Sequence, residues 1–128
     1  MQPFLFDTDI IIEYLRGNDQ AINFFTTFEQ EFYTSAITIA ELYTGVKGDK
    51  EQFELEYFLS LFTIYPITGQ IATEAGLLRQ TYFSSHGMGL ADAVIAATTK
   101  AHNARLVSLN RKHFSMLDEL VVPYEKQP

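Results

Sequence analysis

The sequence predicts an α/β fold, a three-layer α/β/α arrangement with a central parallel sheet of about five strands. Three observations carry this. Short apolar runs alternate with stretches of helical periodicity along the whole chain. The stretch GLADAVIAATTKAHNA is apolar on nearly every side, which suits a helix covered by other elements. No internal repeat, low-complexity tract or Pro/Gly/Ser-rich linker divides the 128 residues, so they read as one domain, 1–128.

Taken in order, Phe4–Phe6 is a short apolar run that reads as a buried strand. Residues 10–16 then set Ile10, Ile11, Tyr14 and Leu15 on one helical face. Asn18 is an N-cap for a second helix, with Ala21, Phe24, Phe25 and Phe28 at i, i+3, i+4 and i+7. Residues 32–36 form a second strand. Thr38 and Glu41 then have capping-box spacing and open a short helix that ends near Gly45 or Gly48. From about residue 50, Leu55, Phe58, Leu59 and Phe62 recur at helical spacing, and 63–67 is a third strand. Thr68 caps a helix bearing Ile71, Ala75, Leu78 and Tyr82, which breaks at 86–89 before the apolar helix. Residues 105–109 are a fourth strand, and 120–123 a fifth, edge-like one closed by Pro123.

Composition narrows the function. The chain is 47% hydrophobic and 20% charged, with eleven Phe and seven Tyr, so it can build a core without staples. The absence of cysteine excludes a disulfide framework, a thiolate metal site and a cysteine nucleophile, and suits a reducing compartment. No apolar run approaches the ~20 residues of a membrane span. Asp7 and Asp9 follow Met1 too closely for a secretory leader. A cytoplasmic protein is expected. The net charge of −7 disfavours nucleic acid as a partner until its distribution is considered. Residues 75–117 carry Arg79, Lys100, Arg105, Arg111, Lys112, all three histidines and a single acid, Asp92. That segment is +4 and the remainder −11.

In a parallel sheet covered on both faces, ligands bind beyond the carboxyl ends of the strands. Asp7 directly follows the first predicted strand, Glu41 lies a few residues past the second and Asn110 just past the fourth. Asp92 sits in the first turn of the apolar helix. Each has a plain structural reading: Asp7 as a turn residue, Asp9 as an N-cap, Glu41 as the partner of Thr38, Asp92 as an acid complementing a helix dipole, Asn110 as a left-handed turn residue. Asp92 fits its reading worst, because an unpaired acid on an apolar helix is costly unless something binds it. Carboxylates gathered in one cleft repel unless a cation sits among them. Hard oxygens without cysteine or a nearby histidine pair suit Mg²⁺ or Mn²⁺, taking one or two carboxylates and keeping several waters.

The stretches FLFDTDIII, SAITIAELYTGV and LADAVIAATTKAHNARLVSLNRKHF, in that order, resemble the PIN domain, specifically the VapC-type ribonuclease toxins of prokaryotic toxin–antitoxin pairs. The resemblance covers about residues 4–124, and the third stretch is its most specific part. It implies a PIN-like fold and a metal-dependent endoribonuclease in which Asp7 and Asp92 ligate Mg²⁺ or Mn²⁺ and Glu41 orients or deprotonates the attacking water. The products implied are a 5′-phosphate and a 3′-hydroxyl. Asn110 stands at the family's fourth acidic position, often Asp in the wider family and often Asn in VapC-type members; being neutral, it weakens the case for a second metal. Ser108 matches a hydroxyl position that helps orient the first aspartate. Asp9 stands where many relatives have Asn or Ser and adds a negative charge. A homodimer and a cognate antitoxin whose segment lies over the cleft are further implications.

Lys100, Arg111 and Lys112 are candidates to hold the RNA backbone. Phe24, Phe25, Phe28, Phe53, Tyr57 and Phe58 exceed what two short helices need for one small core, so some are expected at a homodimer or antitoxin surface. His86, His102 and His113 lie too far apart for an evident ligand pair; His113, beside Phe114, is the nearest to the mouth, yet packing or surface roles are expected for all three. Two other readings remain at this point. FLFDTDII also fits a haloacid-dehalogenase-like phosphatase with Asp7 as nucleophile, Asp9 as general acid and Ser35 as phosphate binder, although Lys100 and the lone Asp92 serve it badly. A PIN-like module that holds RNA or a partner without cutting is the other, supported by Asn110 alone.

Overall fold

A computed structural model describes residues 2–126; Met1, Gln127 and Pro128 of the expected 1–128 domain lie outside the described residues. The elements run β1 (Phe4–Phe6), α1 (Thr8–Leu15), α2 (Asp19–Thr27), β2 (Phe32–Ser35), α3 (Ala36–Thr44), α4 (Gly48–Leu59), β3 (Phe62–Tyr65), α5 (Gly69–His86), α6 (Leu90–Ala101), β4 (Arg105–Val107) and α7 (Arg111–Phe114). The sheet order is β3-β2-β1-β4, with every pair parallel.

Alternation along the strands builds the three layers. Leu5 and Leu106 are partners across β1 and β4, and they face a core shared with Ile71, Ala75 and Leu78 of α5 and Ala93–Ala97 of α6. Phe6 and Val107, one residue on, face the opposite core, with Ile10 and Ile11 of α1, Phe25 of α2 and Phe58 of α4. In α6 every residue from Ala93 to Thr99 is buried, as the apolar stretch predicts. Its two buried hydroxyls return to the helix: Thr98 donates to Val94 O at 2.7 Å and Thr99 to Ile95 O at 2.8 Å. No helix among the described residues is long and apolar enough to cross a membrane.

The structure corrects several local expectations: α4 stops at Leu59, Phe62 opens β3 instead of continuing the helical face, and β3 and β4 end at Tyr65 and Val107, short of 67 and 109. The fifth strand shrinks to one bridging residue, Val121, parallel to Val107. Val121 N–H donates to Leu106 O at 2.8 Å and Ser108 N–H to Val121 O at 3.0 Å; Pro123, two residues on, has no N–H to extend the ladder. The capping box of Thr38 and Glu41 does not form either, because Ser35 caps α3 and both residues fall inside the helix. The surplus of aromatics is largely core. Phe6 lies within 4.8 to 6.1 Å (ring centroids) of Phe24, Phe25, Phe28, Phe32 and Phe62, and Phe25 packs edge-on to Phe58 at 5.1 Å. Only Phe53 and Tyr57 of the six remain as surface aromatics, 70% and 65% exposed.

Candidate active site

The chain moves from β1 outward through β2 to β3, then crosses back to place β4 on the other side of β1. The order therefore reverses between β1 and β4, and the crevice beyond their carboxyl ends is where a parallel sheet binds ligands. Asp7 continues β1 into that crevice, its N–H donating to Val107 O at 2.9 Å. It then caps α1: Oδ1 accepts from Thr8 N–H at 2.7 Å, while Oδ2 accepts from the Ser108 hydroxyl at 2.7 Å. Asp7 is only 4% exposed and Ser108 fully buried.

The other predicted residues join this pair in one hydrogen-bonded string. Thr8 donates its hydroxyl to Glu41 Oε1 at 2.6 Å, which ties α3 to the start of α1. Asn110 N–H donates to Ser108 Oγ at 3.0 Å, and the Asn110 side chain caps α7, Oδ1 accepting from His113 N–H at 3.1 Å. The turn this cap creates returns His113 Nδ1 to within 2.7 Å of Asp92 Oδ2 at the start of α6. Glu41, Thr8, Asp7, Ser108, Asn110, His113 and Asp92 are thus linked in sequence of contact. Asp9 joins from the first turn of α1, its Oδ2 accepting from Leu109 N–H at 3.1 Å and from Ser108 at 3.3 Å.

The sequence assigns no site role to two of these residues. Thr8 was legible only as the middle of DTD. His113 differs from the expected packing or surface role: it stands in the string, three residues after its cap, a spacing that brings i and i+3 together on a helical turn. Among the basic candidates, Lys100 does not join the site. It lies eight residues along α6 from Asp92, about 12 Å, and pairs with Glu74 at 2.9 Å. Arg111 donates to Glu125 Oε1 from Nη2 at 2.7 Å and from Nε at 3.1 Å, and Lys112 is exposed on α7.

The charges in the crevice are poorly compensated. Burial pushes the Asp7 carboxyl well above the ordinary 3.8, the Asp9 charge and, less strongly, Asp92 add to the rise, and the bonds from Ser108 and Thr8 oppose it. Burial raises Asp9 as well, against the N–H groups of Leu109 and Ile10. Its Oδ1 is buried with no hydrogen-bond partner among the described residues. Among the described residues no lysine or arginine pairs with Asp7, Asp9, Glu41 or Asp92. Nor, among the described residues, do any three His, Cys, Asp or Glu side chains form a group that could by itself hold a metal ion. Hard oxygen donors around a buried carboxylate with no basic partner are the donor chemistry that suits Mg²⁺ or Mn²⁺, which bind through one or two carboxylates and retain waters, and they suit Zn²⁺ badly.

The family model of the PIN domain matches residues 4–120. Ribonuclease VapC10 of Mycobacterium tuberculosis is 33% identical over 123 residues, spanning 94% of this chain and 92% of its own length. Ribonuclease VapC19 of the same organism is 35% identical over 124 residues, spanning 94% and 98%. A chain of a toxin–antitoxin complex from Klebsiella pneumoniae superposes with a TM-score of 0.82 at 32% identity, over 95% of this chain and 98% of that one.

Proposed function

This chain belongs to the PIN domain family, and on that premise we propose that it is a VapC-type endoribonuclease that cleaves RNA phosphodiesters with the help of Mg²⁺ or Mn²⁺. The observation that carries the reading is Asp7: a carboxyl raised by burial and by the charge of Asp9, with no lysine or arginine among the described residues to neutralise it and a hydrogen-bonded route to Asp92. Asp7 and Asp92 would hold the cation. When bound, it supplies charge neutralisation at the phosphate and acidifies a water.

The chain's own residues do the rest. Ser108 and the Thr8 N–H fix both oxygens of Asp7, so its orientation needs no reorganisation when substrate arrives. Glu41 has Oε1 held by Thr8, which leaves Oε2 to take the proton of the attacking water. Asn110 uses Oδ1 in its cap, is neutral, and supports one cation rather than two. Arg111 and Lys112 follow it on α7 and would hold backbone phosphates. Arg111 gives up only an exposed ion pair with Glu125 to do so, and such pairs are worth little.

The toxin of a toxin–antitoxin pair is the cellular role this supports, with a cognate antitoxin and a second copy of the chain as partners. A groove of about 600 Å³ between α1, α3 and α4, lined by Ile12, Leu15, Leu42 and Val46 and bordered by Glu41, is the proposed seat of an antitoxin segment. The phosphatase alternative loses its lysine, since Lys100 is at the far end of α6 with Glu74.

The purified chain should cut RNA when given millimolar Mg²⁺ or Mn²⁺ and stop when chelator is added. RNA that binds but stays intact with Mn²⁺ would instead identify a non-cleaving module. Cutting that continues in chelator would remove the metal from the account.

A further inference from the structure

Asp92 does not face the crevice unaided. Its Oδ2 lies 2.7 Å from His113 Nδ1, with Asp92 25% and His113 30% exposed at their side chains. The same Nδ1 lies 2.9 Å from Asn110 Nδ2. The amide is fixed by the cap, since Asn110 Oδ1 must accept from His113 N–H, so its NH₂ faces the ring. Nδ1 cannot both accept from that NH₂ and donate to Asp92. The shorter, charge-assisted contact decides: Nδ1 carries hydrogen and donates to the carboxylate. Nε2 is turned away, against the backbone of Gly87, where a Cβ would stand 3.4 Å from it. Gly87 itself takes a left-handed φ of 68° that suits glycine.

We infer that His113 is a positioning residue for Asp92: it holds Oδ2 and thereby leaves Oδ1 free toward the cleft as the cation-binding oxygen. The role rests on the cation-bound ribonuclease reading above. It requires only Nδ1–H, the hydrogen that the contact to Asp92 selects. Carboxylates and histidines that ligate metals depend on such outer hydrogen bonds, and losing one typically costs 10 to 100-fold in affinity or activity.

The test compares Mn²⁺ affinity, read from Mn²⁺-dependent melting shifts, and RNA cleavage for the native chain, His113→Ala, His113→Asn and His113→Gln. Asn places an amide donor near the position of Nδ1, whereas Gln places it near that of Nε2 and leaves Asp92 without a partner. Ala and Gln should weaken Mn²⁺ binding roughly 10 to 100-fold and lower cleavage through kcat at fixed Mn²⁺, leaving KM for RNA in place. Asn should recover most of both. In an Asp92→Asn background the difference between His113 and Ala should vanish. Native-like Mn²⁺ affinity in all three variants, with only melting temperature changed, would reduce His113 to a packing residue and leave the ribonuclease reading standing. A native chain that binds no Mn²⁺ would overturn the reading and the inference together. Should the Ala variant fail to fold, the contrast between Asn and Gln decides.

Discussion

Replacing Asp92 by Asn is expected to lower Mg²⁺- or Mn²⁺-dependent RNA cleavage by at least about a hundredfold while the fold survives. The size follows from the residue's place: outer partners of a metal ligand cost up to about that much, and the ligand itself should cost no less. Survival of the fold follows from its surroundings. Asp92 is partly exposed at the start of α6, outside the buried run Ala93–Thr99. Asn keeps the volume, and its amide oxygen can still accept from His113 Nδ1–H. The helix loses only a favourable charge near its N-terminus, about 0.3 to 1 kcal/mol. Circular dichroism and cleavage assays on the purified variant check both halves. Growth arrest on expressing the native chain, absent for the variant, extends the test to the toxin role. Full cleavage by a folded Asp92→Asn protein would end the site assignment.

Asp7→Asn should separate activity from stability. In the metal-free protein the Asp7 carboxylate is buried beside Asp9 and Asp92, so its charge is a burden on the native state. Asn can keep the bond from Thr8 N–H with its oxygen. Its NH₂ then faces Ser108 Oγ, which accepts it while turning its own hydrogen to Asp9. Apo stability should therefore hold or rise, by about 1 kcal/mol, while cleavage is lost. The pH dependence fixes the sign. Because the folded pKa of Asp7 lies above its unfolded value, the penalty is present at neutral pH and is relieved as pH falls through the folded pKa. The native chain should gain apo stability on mild acidification, and Asp7→Asn should gain less. Bound cation acts oppositely: at a hundred times its dissociation constant it adds about 2.7 kcal/mol to the native chain and much less to the variant. Equal metal-induced shifts in the two proteins would place the metal elsewhere.

Much of this was legible because the signals were local. The run Phe4–Phe6 before Asp7, the periodic face of Ile71, Ala75 and Leu78, and the apolar stretch from Leu90 each announce an element without reference to the rest of the chain. Asn18 and Thr68 cap their helices as their side chains suggest. Asp7 and Glu41 were expected at one mouth because the sheet rule says where strand ends converge, and Thr8 joins them there. What was missed depends on contacts distant in sequence. Thr38 and Glu41 have the spacing of a cap, yet Thr8, thirty-three residues before Glu41, claims that carboxylate. Phe24 and Phe28 read as surplus until Phe6 gathers them around one ring. His113 has no periodic or compositional mark, and its role exists only because Asn110 turns the chain back onto Asp92.

The central claim is that Asp7 at the end of β1, Asp92 at the start of α6 and Glu41 on α3 together direct a water, not the RNA's own 2′-hydroxyl, at the phosphorus. Its most direct measurement is the chemistry of the cut ends, read by mass spectrometry after cleavage with Mn²⁺ in water enriched in heavy oxygen. The account predicts 3′-hydroxyl ends and 5′-phosphates bearing one solvent-derived oxygen, with no cutting in chelator. Ends carrying 2′,3′-cyclic phosphate, formed equally with Mn²⁺ and with chelator, would contradict it.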